Sequence, residues 1–290
     1  MRVIQDIGYD LRSGRLDKTH HPFMTSIAQG DIRISNRYNT SNFFESLLPT
    51  LHEAGHALYE SGFLPKYEGT PMGSAISLSV HESQSRLYEN LIGRSKAFAT
   101  YLQPIIHEIF PDETKHLSIE QVWQQMNNIR QTTIRVEADE VTYSLHIVIR
   151  MLLEEALITG ELEVEELPKA WATLYEKYLS IKVPNDADGV MQDVHWFQSS
   201  FGYFPTYALG NLYGATMMES INQAIPDLHS QVAQGEFQEL LDWLRVNVHQ
   251  HGMKDNGEKL IMRISGKPLS HEPFITYIKK KFDLSRKSPL

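Results

Sequence analysis

Three features of the sequence predict a mostly α-helical protein with a small strand element near residues 31–35. Apolar residues recur at helical spacing through Phe43, Phe44, Leu47, Leu48, Leu51 and Leu58. Helical periodicity returns from Ser118 to a stop at Gly160, and amphipathic helices account for residues 227–290. Polar–apolar alternation, the mark of a strand, appears at Asp31-Ile32-Arg33-Ile34-Ser35. The chain has 290 residues, 41% of them hydrophobic and 22% charged, which is ample for a real core. No internal repeat, low-complexity tract or linker interrupts it, so residues 1–290 are expected to form one helical domain.

Composition narrows the chemistry. A net charge of -9 and a pI near 5.8 argue against a general nucleic-acid binder or an anionic-membrane binder. The absence of cysteine excludes a thiolate metal site, a disulfide scaffold and a cysteine nucleophile. Any zinc-type site must therefore draw on carboxylates and the 13 histidines. The opening Met1–Asp6 lacks the apolar core of a signal peptide. No apolar run approaches the ~20 residues of a membrane helix. The greasiest stretch, Leu145 to Ile158, is broken by Arg150, Glu154 and Glu155. A cytoplasmic location is expected.

Taken in order, residues 1–40 read as irregular, punctuated by Gly8, Gly14 and Gly30 and by His21-Pro22-Phe23. In the strand, Asp31, Arg33 and Ser35 share a face. Arg33 is either a carboxylate receiver or half of an ordinary Asp/Arg pair on an exposed edge strand. A helix is predicted from Asn42, with Glu45 as capping partner and Pro49 either kinking it or restarting it. Both versions leave His52 to Glu60 helical. That segment contains His52-Glu53-Ala54-Gly55-His56, a His-Glu-x-x-His pattern that arises by chance in about one chain in a hundred of this length. Four residues turn a helix by about 400°, so the two imidazoles lie on one face and can chelate one metal ion. Glu53 beside them is placed to take a proton from a water polarised by that ion. Where such a pair binds metal with a carboxylate third ligand, the next helix usually supplies it. After a loop over 61–79, a helix starting near Ser77 or Ser79 offers Glu82 and Glu89; Glu60 and Glu68 are weaker choices.

The segment 119–160 reads as one long helix, greasy on both flanks, with a polar stripe of Arg135, Asp139, Tyr143, His146 and Arg150. Such a stripe either lines a polar cleft or forms a buried ion-pair ladder. The following segments, 188–196 and 202–211, are loops or helix edges dense in His, Tyr, Gln and Trp. Gly210 and Gly214, four apart on the next helix, permit close helix packing. The basic end (Lys279, Lys280, Lys281, Arg286, Lys287) reads as solvated.

Six short motifs occur in order: His21-Pro22-Phe23; Asp31-x-Arg33-x-Ser35; His52 to His56; His81-Glu82-Ser83-Gln84; Ile134-Arg135-x-x-Ala138-Asp139; and Gly189-x-x-Gln192-Asp193-x-His195-Trp196. Together with Gly202-Tyr203-Phe204-Pro205-Thr206-Tyr207 and the Gly-Lys-Pro at 266–268, this set resembles the carboxypeptidase Taq family of metallocarboxypeptidases. The resemblance spans nearly the whole chain. It implies a mostly α-helical zinc-metallopeptidase catalytic region, often homodimeric, with a long substrate cleft. It further implies zinc, or cobalt in some members, and removal of single residues from peptides with a free C-terminus. By matched position the metal ligands are His52, His56 and Glu82, and the general base is Glu53. His195, with Tyr203 or Tyr207, is the expected donor set for the oxyanion; the plainer reading makes His195 a core histidine bonded to Asp193 or Trp196. Arg33 and Arg135, the latter held by Asp139, are the expected receivers of the terminal carboxylate.

Two departures stand out. The second motif usually ends in Thr, and Ser35 keeps only the hydroxyl. Members of the family also usually carry a long helical N-terminal region, whereas this chain begins almost at the first motif. The expectation is a region corresponding to the C-terminal portion of longer chains, with a separate N-terminal subunit among its expected partners. The alternative functions are a non-catalytic, partner-dependent metal-binding half of a split peptidase, and an endopeptidase or dipeptidyl carboxypeptidase.

Overall fold

Residues 1–40, expected to be irregular, build a short helix and a sheet in the computed structural model, which describes residues 1–283. Helix α1 (Arg2–Asp6) precedes strands β1 (Leu16–Lys18), β2 (Phe23–Ala28) and β3 (Asp31–Asn36). The order is β1-β3-β2, with β3 parallel to β1 and antiparallel to β2. Gly30 and Pro22 bound β2 and do not prevent it, because both fall at strand ends, where the ladder needs no donor from them. In β3, Ile32 and Ile34 are buried while Arg33 stays partly exposed, so the predicted alternation is realised on the central strand and not on an edge.

Helix α2 (Phe44–Ser61) starts two residues later than predicted. Asn42 lies just outside it, accepting from Phe44 N at 3.1 Å and donating to Glu45 Oε1 at 2.9 Å. Pro49 sits inside this continuous helix. Helix α3 (Leu78–Arg86) begins where Ser77 Oγ accepts from Val80 N, and continues into a π-helical turn over Leu87–Ile92. Gly55 lets α3 approach α2: a Cβ there would meet Gln84 O at 2.6 Å and Ser85 Cα at 2.8 Å. Helices α4 (Lys96–Ile109), α5 (Pro111–Thr114) and α6 (Ile119–Met126) follow.

The long helix predicted over 118–160 does not form. After α6 the chain is irregular apart from a 3-10 turn at Arg135–Glu137, and the next helix, α7, covers Tyr143–Thr159. Asp139 accounts for the break. Its Oδ1 accepts from Val141 N (2.8 Å) and Thr142 N (3.1 Å), and its Oδ2 from Thr142 Oγ1 (2.9 Å) and Arg130 N (3.2 Å). These bonds offer the backbone an alternative to the helical ladder. The neighbouring Thr132-Thr133-Ile134, all β-branched, favour it further. The predicted stop holds, with Gly160 in the left-handed conformation at φ 74°.

Helices α8 (Leu167–Leu179), α9 (Pro205–Ala224), α10 (Leu228–Gln234), α11 (Gln238–Asn247), α12 (Gly257–Ser265) and α13 (Glu272–Lys281) complete the described chain. Lys279, Lys280 and Lys281 close α13, whereas Arg286 and Lys287 lie outside the described residues. The chain gathers into two compact units, 1–126 with 210 onward, and 127–209. Ile149, Leu153, Leu167, Trp171, Tyr175 and Leu179 form an apolar core in the second unit. Among the described residues no helix is long and apolar enough to cross a membrane. The fold is mostly helical with one small sheet, as predicted.

Candidate functional site

The two histidines one turn apart on α2 meet a carboxylate from α3. Ligand atoms of His52, His56 and Glu82 all lie within 4.8 Å of one another. Glu82 Oε2 is 3.6 Å from His52 Nε2 and 3.4 Å from His56 Nε2. A divalent ion fits this donor set. Three N/O donors converge from two helices, with no thiolate, and leave room for a fourth ligand. Gly210 makes space for Glu82, because a Cβ there would sit 2.6 Å from Glu82 Cγ. Of the two carboxylates left open by the sequence, Glu82 thus joins the histidines, while Glu89 takes a supporting position.

The surroundings orient each donor. His52 Nδ1 donates to Glu89 Oε2 at 2.8 Å, which turns Nε2 toward Glu82. Arg86 Nε donates to Glu82 Oε1 at 2.7 Å, and its Nη1 to Glu89 Oε2 at 3.1 Å. One guanidinium therefore anchors both carboxylates, and Glu82 Oε2, which accepts from Ser85 Oγ at 3.0 Å, faces the histidines. Sequence spacing could have found Arg86, which lies four residues after Glu82 and three before Glu89.

Electrostatics separate the two histidines. Burial disfavours the charged form of His52, but Glu82 and Glu89 outweigh it and lift the imidazole to about 9. Burial lowers His56 to about 4 despite the opposing pull of the Glu82 carboxylate, with His52 and His81 adding to the effect. Glu82 stays well below the usual carboxylate range, because Arg86 and the histidines outweigh its burial. Glu53 moves the other way: burial pushes its carboxyl up, against the opposing pull of His52.

In the same unit, Arg33 Nε donates to Asp31 Oδ1 at 2.7 Å on a partly exposed strand face. Asp31 thus pairs with Arg33, whose side chain stays partly exposed.

The second unit holds Arg135, His195, Tyr203 and Tyr207. Arg135 is buried, and its partner is Asp193, not Asp139 as the helical spacing suggested. Its Nε and Nη2 donate to Asp193 Oδ1 at 3.0 and 2.7 Å, and its Nη1 to Tyr143 at 3.0 Å. With the helix broken before α7, Asp139 is occupied by backbone donors and Arg135 is free to turn toward the 188–196 loop. Gln192 Oε1 accepts from Arg135 N at 2.7 Å. Arg150, which the sequence reading placed in the polar stripe without a role, donates from Nε to Asp193 Oδ2 at 2.7 Å and lies over the Trp171 ring. His195 Nε2 shares a 3.0 Å hydrogen bond with Tyr207, and its ring lies 5.3 Å from that of Tyr203. The three residues expected to act together are thus neighbours. Two buried arginines thus share one aspartate.

A helix-borne His-Glu-x-x-His pair and a glutamate from the next helix thus form a candidate metal site. The family model for carboxypeptidase Taq (M32) metallopeptidase matches residues 1–282. Thermostable carboxypeptidase 1 of Thermus thermophilus is 46% identical over 282 residues, which cover 97% of this chain and 55% of the relative. Carboxypeptidase 1 of Bacillus subtilis is 40% identical over 279 residues, covering 96% and 56%. Among solved structures, the M32 carboxypeptidase from Deinococcus radiodurans superposes with a TM-score of 0.95 at 41% identity, over 98% of this chain and 57% of that one. A Pyrococcus furiosus carboxypeptidase gives 0.94 at 37%, over 97% and 57%. The chain belongs to the carboxypeptidase Taq (M32) metallopeptidase family. It spans about half the length of the curated relatives it matches.

Proposed function

We propose that the chain is the catalytic region of a metal-dependent carboxypeptidase that removes single residues from peptides with a free C-terminus. The observation that carries this is the convergence of His52, His56 and Glu82, with Glu53 beside them on α2. Zinc suits the donor set best, with cobalt a second choice. When bound, such an ion supplies Lewis-acid polarisation of a water and of the scissile carbonyl. Glu53 takes the proton of the attacking water and returns it to the leaving amine. Its buried carboxyl, pushed up from the ordinary range, suits it to both halves of that transfer. For the second unit's cluster we propose substrate roles. Arg135 receives the terminal carboxylate, with Arg33 as a further receiver, and His195 with Tyr203 or Tyr207 donates to the oxyanion.

The proposal includes residues 1–290 as one catalytic region, homodimeric assembly and a cytoplasmic location. A second reading is a metal-binding half that works only with a separate N-terminal subunit. One experiment separates the two. Metal-replete protein is assayed on short peptides with free and amidated C-termini, for wild type and Glu53→Gln. Release of C-terminal residues that depends on Glu53 and on a free carboxylate is expected. Metal binding without any release favours the second reading, and release that survives Glu53→Gln overturns the mechanism.

A further inference from the structure

The two histidines on α2 are held differently. His52 bonds directly to a carboxylate, whereas His56 bonds to another histidine. His56 Nδ1 and His81 Nδ1 are 2.6 Å apart, and His81 Nε2 is 3.0 Å from Glu60 Oε1. Two nitrogens at that distance need one proton between them, and the far end of the chain decides which holds it. Glu60 can only accept while ionised, so His81 Nε2 carries a hydrogen. A neutral His81 then has a bare Nδ1, and His56 Nδ1 must donate to it. His56 Nε2 is left bare, facing Glu82 Oε2 at 3.4 Å.

We propose that His81 is a positioning residue. It fixes His56 in the tautomer with Nδ1 protonated and Nε2 bare, and Glu60 holds His81 in the complementary tautomer. The inference rests on the reading of His52, His56 and Glu82 as metal ligands. A free neutral histidine in water favours the opposite tautomer, with its hydrogen on Nε2, so the nitrogen aimed at the metal would otherwise be blocked by its own proton. Partners of a ligand's other ring nitrogen set both tautomer and ring orientation. His81 is itself well placed for this. Its ring meets the edge of Tyr59 at 5.3 Å, and Tyr59, fully buried, accepts from Ile76 N at 3.2 Å. His81 stands one residue before Glu82 on α3, while Glu60 stands one turn beyond His56 on α2. The relay thus ties the two ligand-bearing helices together from their outer side.

The test uses the full chain and Zn²⁺, with the dissociation constant read by competition with a chromogenic chelator. His81→Leu, which removes the acceptor, is expected to weaken binding about 10- to 100-fold, the usual cost of losing such a partner. His81→Asn keeps an acceptor near the Nδ1 position and is expected to return to within about threefold of wild type, with Glu60→Gln in between. Nitrogen-15 spectra of the metal-free protein should show the His56 hydrogen on Nδ1 in wild type and redistributed toward Nε2 in His81→Leu. A purely structural role would not move that signature. Wild-type affinity in His81→Leu overturns the proposal, as does a His56 hydrogen on Nε2 in wild type. If His81→Leu fails to fold, Asn decides: affinity near wild type supports the proposal, and a loss of tenfold or more overturns it. Failure of the wild-type chain to bind Zn²⁺ at all would instead overturn the ligand assignment on which this rests.

Discussion

Asp193 carries two guanidiniums, and that shared pairing fixes how Arg135 is held. Arg150 is fully buried and Arg135 nearly so, and both guanidiniums donate to this one carboxylate. Asp193 itself stays below the ordinary carboxylate range because the two arginines outweigh its burial. If Arg135 receives the substrate's terminal carboxylate, Arg135→Ala should lower kcat/KM for free peptides roughly 10- to 100-fold, since a hydrogen bond between charged groups is worth about 1.5–3 kcal/mol. Amidated peptides should lose far less. Equal losses on both would remove the carboxylate role and leave Arg135 a structural ion pair. The sequence offered Asp139 as the partner because helical spacing relates only residues three and four apart. Asp193 lies 58 residues away in a loop, and no periodicity reports such a pairing. His52 and His56 were legible for the converse reason, sharing one helix turn. Glu82 needed only the next helix to be added.

At the scale of elements, the decisive feature is the interruption between α6 and α7. Residues 127–142 were expected to continue one helix, but Asp139 gathers four donors that a continuous helix would have used differently. A polar side chain's bonds to nearby backbone compete with helix in a way that binary patterning does not register. In residues 1–40 the turn residues separate short elements, Gly8 after α1, Pro22 before β2 and Gly30 before β3, where only the strand at 31–35 was legible. Asp139→Ala is expected to destabilise the protein by about 1–3 kcal/mol, the range for losing a helix cap and leaving buried donors unsatisfied. Asp139→Asn, which keeps the Oδ1 acceptor, should cost less. Urea unfolding measures both, and a midpoint for Asp139→Ala equal to wild type would mean that the break is set by the surrounding packing and not by this side chain.

Over the whole molecule, the helix that carries His52 and His56 and the strand at 31–35 were legible, while the division into two units was not. That division depends on which distant residues touch, and local patterns carry no record of it. The same holds for two histidines whose burial no pattern announced. His146 and His249 are fully enclosed, one in each unit. His146 Nδ1 donates to Tyr175 at 3.0 Å and His249 Nε2 to Gln84 Oε1 at 3.0 Å, while His146 Nε2 and His249 Nδ1 are buried without a partner. Burial lowers both to about 3, and Arg150 beside His146 and Arg245 near His249 add to it. Between about pH 6.5, where an unfolded histidine titrates, and about pH 3, the unfolded chain therefore binds a proton at each position that the folded chain does not. Stability rises with pH wherever the unfolded state binds more protons, so this contribution is full above about 6.5 and declines toward pH 3. Each histidine should add about 1.4 kcal/mol per pH unit to the slope within that window. His146→Asn keeps a partner for Tyr175, and His249→Gln keeps one for Gln84, while neither titrates there. Urea midpoints from pH 7 to pH 4 should fall less steeply in each variant than in wild type, and less steeply still in the double variant. Unchanged slopes would show that these imidazoles take up their protons without unfolding, so that acid sensitivity arises elsewhere in the chain.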